Sequence, residues 1–194
     1  MKNSPYPIND PREGERAVVK DPSNADASKS GWHDDSKRTS GNNIVAAARL
    51  SSTQDIYAES GDLTFRYPYE PDTGDVQAFV PAAVAQVFYT ANMLHDLYYL
   101  LGFTPAAGNF QLDNHGEGGL ANDPVNVFVQ HYRTTNNGQF FQDIDGKSAE
   151  LAMYVFTMTD PFRDGGFDQG FVTHEYTHGR TPPPPVCPIL QQFY

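Results

Sequence analysis

His174, Glu175 and His178 stand within one helical turn of each other near the end of a 194-residue sequence. Residues four apart share a helix face, so two imidazoles at this spacing can reach one metal ion. The glutamate beside the first histidine lies near that face, where its carboxylate can take a proton from a metal-activated water. Such an H-E-x-x-H arrangement is the core of a zinc peptidase site. A catalytic zinc needs three protein ligands and one open position. From Gly179 to Tyr194 the sequence has no Asp, Glu or His. Cys187 would be chemically acceptable as a ligand, but Pro182, Pro183, Pro184 and Pro185 hold it extended and away from the helix. An extended metzincin motif is excluded, because Thr181 and Pro184 occupy the places that need Gly and His. Upstream, Asp168 and Glu150 remain as acidic groups that no motif recommends.

For the two histidines to share a face, the segment around them must be helical. The run from Arg163 to Asp168 reads as a turn, with Asp168 as the N-cap. Phe171 falls on the histidine face, while Val172 and Tyr176 project to another side, available for packing. Four prolines cut this helix at about three turns, a length that needs tertiary support. That support has an evident source. Val84, Val87, Phe88, Ala91, Leu94, Tyr98 and Leu101 recur at three- and four-residue spacing and predict a long helix over residues 81–101. Pro81 suits its first turn and Gly102 its C-terminal cap. His95 and Asp96 inside it read as a buried or capping pair rather than metal ligands.

Residues 44–50 read as a short apolar stretch, and strands are expected at residues 63–67, 125–130 and 149–158, with Pro68 and Pro71 ending the first and Asn136-Asn137-Gly138 marking a tight turn or bulge. Residues 109–124 form a Gly-, Asn- and Asp-rich loop containing His115 and Glu117. It lacks the D-x-D-x-D-G order of a calcium loop. Residues 1–43 read as an extended, turn-rich arm pinned by Trp32. Strands, one long helix, then a strand leading into the site helix indicate α+β architecture. The chain divides into a turn- and strand-rich part over 1–75, the long helix, strands and H-E-x-x-H helix over 76–179, and a Pro-rich tail over 180–194.

A net charge of −11 excludes nucleic acid as a partner, since no basic patch exists to neutralise phosphates. No run approaches membrane-spanning length, and residues 1–7 hold no apolar signal-peptide core. The single cysteine excludes an internal disulfide.

Taken together, these residues resemble the fungalysin family of secreted fungal metallopeptidases, relatives of thermolysin. Pro7-Ile8-Asn9-Asp10-Pro11 with Glu13-Gly14-Glu15-Arg16 is similar to the start of the mature family enzyme. Gly31-Trp32-His33, Phe88-Tyr89-Thr90-Ala91-Asn92, His95-Asp96-Leu97 and Gly108-Asn109-Phe110 follow in the family's order. Arg163-Asp164-Gly165 then leads to His174-Glu175-Tyr176-Thr177-His178-Gly179. The coverage is roughly residues 5 to 179. The resemblance implies the β-rich N-terminal lobe of a thermolysin-like (gluzincin) peptidase, ending at the active-site helix with the C-terminal helical lobe missing.

The resemblance also implies roles. His174 and His178 become ligands of Zn2+ and Glu175 the general base. Asn137 and Gly138 stand where the family has its substrate-binding Asn-Ala pair, with Gly in place of Ala, so an extended peptide is expected to add along an edge strand there. The implied partners are a peptide or protein substrate and, in the full-length enzyme, an inhibitory propeptide; the implied location is extracellular. The family's continuation after this motif, with its glutamate ligand, has no counterpart beyond Gly179. Two functions of different class therefore stand: a zinc metalloendopeptidase by family, inactive as this truncated chain, and a catalytically dead fragment that at most binds zinc or peptide weakly. In the truncated chain the site helix is also expected to leave an apolar face open to solvent.

Overall fold

The computed structural model describes residues 18–69, 75–142 and 144–179. Its central sheet has five strands, β1 (Ile44–Ser51), β2 (Gln54–Ile56), β3 (Val125–Val129), β4 (Gly138–Phe141) and β5 (Glu150–Met153), in the order β2-β1-β3-β5-β4. The three inner strands run parallel, and each edge strand pairs antiparallel with its neighbour. A small ribbon joins β6 (Val155–Phe156) to β7 (Arg163–Asp164). The helices are α1 (Val80–Leu100) and α2 (Gln169–His178). The architecture is α+β, with a mixed sheet. No helix among the described residues is long and apolar enough to cross a membrane.

Period-two burial explains the sheet. Ile44, Ala46 and Ala48 on β1, Val125, Val127 and Val129 on β3, and Leu151 and Met153 on β5 belong to one buried cluster with α1. The alanines of β1 carry only a methyl group, which lets α1 lie close to the sheet. On the other face the Arg49 guanidinium covers the Phe128 ring at 3.4 Å and is held by Asp55 and Glu150.

The apolar stripe read from the sequence is the buried side of α1, from Val84 to Tyr98. The helix has Pro81 in its first turn, and Gly102 follows its last with φ +100°. His95 and Asp96 are buried together, with Nδ1 of the histidine 3.1 Å from Oδ1 of the aspartate. Asp96 also accepts from the Asn24 amide, the Ser28 hydroxyl and the Trp32 indole. Burial alone raises the pKa of this carboxyl. The four hydrogen bonds outweigh that and hold it below the usual carboxylate range. Trp32 thus pins the N-terminal arm to α1.

Two strand expectations need correction. Residues 63–67 form no strand. Leu63 N–H goes to Ser60 O, Thr64 N–H to the Asp62 side chain and Arg66 N–H to Thr64 O, so local turns consume the amides a ladder requires. Residues 149–158 do not form one strand either. The chain breaks at Tyr154, whose N–H donates to Asn137 O and whose carbonyl accepts from Gly165 N–H, and passes from the sheet into the ribbon. The end of β3 at Val129 has a similar local cause, since Gln130 adopts φ +46°.

The expected apolar face on the site helix is not found. Val172 and Tyr176 are buried, and the exposed large apolar side chains of the two helices, Met93, Leu97 and Leu100, all lie on α1. The readings of residues 1–17, Pro71, the Pro-rich tail and Cys187 lie outside the described residues.

Candidate active site

Two carboxylates start the site helix. Asp164 Oδ1 accepts from Gly166 N–H at 2.8 Å and caps a 3-10 turn over Gly165–Phe167. Asp168 Oδ1 accepts from Phe171 N–H at 3.0 Å and caps α2. Four residues apart, Val172 and Tyr176 sink into the core, and Tyr176 stacks on Tyr98 of α1. That burial turns His174 and His178 outward, where both are exposed.

The two imidazoles converge. Their Nε2 atoms lie 3.1 Å apart, with ring planes nearly perpendicular at 88°. Two ligand nitrogens at zinc's usual ~2.0–2.1 Å and a tetrahedral angle sit about 3.3 Å from each other, so the donor pair fits a single zinc ion. Phe171 is half-buried, its ring packing edge-on against Phe156.

Glu175 is buried, 7% exposed, beneath the first residue of β4. A Cβ on Gly138 would come within 2.9 Å of Glu175 Cγ and of two ring carbons of Phe171. Glycine therefore lets the edge strand rest directly on the methylene chain of the glutamate. β4 bonds to β5 alone among the described strands, so its outer edge begins beside the carboxylate. Asn137 is exposed just before it, with its carbonyl engaged by Tyr154 N–H. At the other end of α2, a Cβ on Gly179 would meet Phe140 ring carbons at 2.4 and 2.5 Å, so a side chain there requires the ring to move.

Gly138→Val tests this contact. Valine is favoured in strands, so any loss reports the collision with Glu175 and Phe171. Urea unfolding is expected to show a loss of about 1–3 kcal/mol, the usual cost of overpacking. Unchanged stability would mean both side chains move aside freely.

Among the described residues, no group of three or more His, Cys, Asp and Glu side chains is placed to hold one ion. The upstream acids are engaged elsewhere: Asp168 caps α2, and Glu150 pairs with Arg49 across the sheet. A hollow of about 1050 Å³ is lined by Trp32, His33, Phe65, Phe88, Tyr89 and Phe167 among others and includes none of the three motif residues. Sequence reasoning missed the contacts that hold α2, Tyr98 with Thr177 and Gly179 with Phe140, because they join segments far apart in the chain.

Residues 1–182 match the family described as fungalysin metallopeptidase. The chain is similar to extracellular metalloproteinase 5 of Trichophyton rubrum, at 43% identity over 182 residues, covering 90% of this chain and 29% of that protein. It is similar to extracellular metalloproteinase 1 of Arthroderma gypseum at 42% identity, covering 90% of this chain and 29% of the relative. To extracellular metalloproteinase mep of Aspergillus fumigatus it is 43% identical, over 89% of this chain and 28% of the relative. The chain spans less than a third of the length of these curated relatives.

Proposed function

The chain belongs to the fungalysin metallopeptidase family, and from that membership we propose that it carries part of a zinc endopeptidase centre. In this reading His174 and His178 are two of the zinc ligands and Glu175 is the general base. The single observation that carries it is the convergence of the two Nε2 atoms at 3.1 Å beside a buried glutamate. When bound, zinc supplies Lewis acidity toward water and the scissile carbonyl. Glu175 takes the proton released from water at its carboxylate, and burial under Gly138 keeps that group oriented. The substrate is an extended peptide or protein chain, hydrogen-bonded along the outer edge of β4 with Asn137 and Gly138 at its entrance. The relatives are named as extracellular enzymes, which supports an extracellular location and protein substrates found there. An inhibitory propeptide is the partner proposed for the full-length enzyme.

A second reading rests on a different observation, the absence of a third ligand among the described residues. There the 194-residue chain binds zinc or peptide weakly and cleaves nothing. Calorimetric zinc titration tests the centre. Two histidines with water in the remaining positions are expected to bind well below the affinity of a structural zinc site, and His174→Ala is expected to abolish the heat signal. Tight binding that survives His174→Ala places the metal elsewhere and overturns the proposal.

A further inference from the structure

We propose that Tyr98 and Thr177 act together as positioning residues that hold the last turn of α2 helical, keeping His178 one turn from His174. The proposal rests on the reading of these histidines as a metal pair. α2 has ten residues, too few to hold a helix unaided. Within the last turn, Gly179 N–H bonds back to Tyr176 O at 3.1 Å, one of the few backbone bonds that close the helix end. Val172 and Tyr176 anchor its buried side, but apolar contact is non-directional and leaves that turn free to loosen.

A directed link spans the same turn as the histidine pair. Thr177 Oγ1 lies 2.6 Å from Thr173 O and 2.6 Å from Tyr98 Oη. The carbonyl can only accept, so the single Thr177 proton goes to Thr173 O, and the Tyr98 hydroxyl donates to Thr177. The chain of donors runs from α1 through a side chain into the α2 backbone one turn back. Thr173 and Thr177 are the residues immediately before His174 and His178, so loosening this link loosens the histidine spacing. One contact earlier along both helices, the Thr90 hydroxyl meets Gln169 Oε1 at 3.0 Å, and Thr173 Oγ1 bonds Gln169 O at 2.7 Å. The two contacts fall at the same interval on each helix, which fixes the register of α2 on α1. Only the second one controls the turn that carries His178.

Histidine-ring NMR of the full 194-residue chain during titration with Zn2+ tests the proposal. In the wild type and in Thr177→Ser, which keeps the hydroxyl, both rings are expected to shift together with one affinity. Thr177→Val and Tyr98→Phe are expected to weaken that affinity about tenfold, as loss of an outer contact to a metal site does. The double variant is expected to be no weaker than Thr177→Val, because both substitutions cut one link. Wild-type affinity in Thr177→Val overturns the proposal. A wild type that shows no response to zinc overturns the metal reading instead, and the clamp is then judged without metal. Cross-relaxation between the His174 and His178 ring protons should persist in Thr177→Ser and vanish in Thr177→Val; its persistence in Thr177→Val overturns the clamp.

Discussion

Extending the chain past Gly179 with a family-like continuation that carries a glutamate ligand is expected to produce casein cleavage that a chelator stops. Glu175→Gln in that extended protein is then expected to lower the rate by about 10²–10⁴-fold while zinc stays bound. The size follows from the role. Glutamine keeps the shape of glutamate and fits under Gly138, yet it cannot accept a proton from water. Metal content measured alongside the rate separates loss of the base from loss of the centre. The 194-residue polypeptide itself is expected to leave casein intact, since a catalytic zinc takes three protein ligands and the described residues place two. Chelator-sensitive digestion by that polypeptide would show that a third ligand is already present. Rapid cleavage by the glutamine variant would remove Glu175 from the mechanism.

Stability between pH 4 and 6 is expected to be nearly flat in the wild type because two buried groups oppose each other. Asp164 is buried, and burial pushes its carboxyl up to about 6 against the hydrogen bonds from Gln130 and Gly166. In this window the folded state holds its proton more firmly than the unfolded chain, so stability falls as pH rises from about 4 to 6. His131 acts in the other direction. Burial, with Arg133 and Arg49 nearby, brings its imidazole down to about 4, so the unfolded chain binds the proton first and stability falls as pH drops from 6.5 toward 4. Each shift corresponds to about 3 kcal/mol, at about 1.4 kcal/mol per unit. Asp96, held below the ordinary carboxylate value, loses its contribution only under more acid conditions, as pH falls through its lowered folded value. Urea unfolding at several pH values separates the two groups. Asp164→Asn should expose the His131 slope, with stability lost toward pH 4. His131→Gln should expose the Asp164 slope, with stability lost toward pH 6. Parallel profiles for all three proteins would show that neither group is shifted as described.

Much of the site helix is legible in the sequence because its causes are local. The four-residue spacing of His174 and His178 puts both on one face, and Asp168 has the side chain and position to cap. The stripe from Val84 to Tyr98 likewise declares α1, since helical periodicity is written in consecutive residues. Local pattern misleads where short-range hydrogen bonds compete with it. Residues 63–67 alternate like a strand, but Ser60 and Asp62 capture the amides first.

Contacts between distant segments leave no local trace. Phe171 follows the helical spacing of the histidines, yet its ring turns inward to Phe156 and the space over Gly138. Gly138 looks like part of a turn in sequence, and only the tertiary arrangement makes it the place where an edge strand rests on Glu175. The hydroxyl link from Tyr98 to Thr177 joins residues 79 positions apart. The residue types proposed for the chemistry, and the face of the helix that carries the two histidines, were thus determined by the sequence, through periods of a few residues. Which edge strand lies over Glu175, and which helix bonds to Thr177, were decided only by packing, because those contacts exist only once the chain has closed on itself.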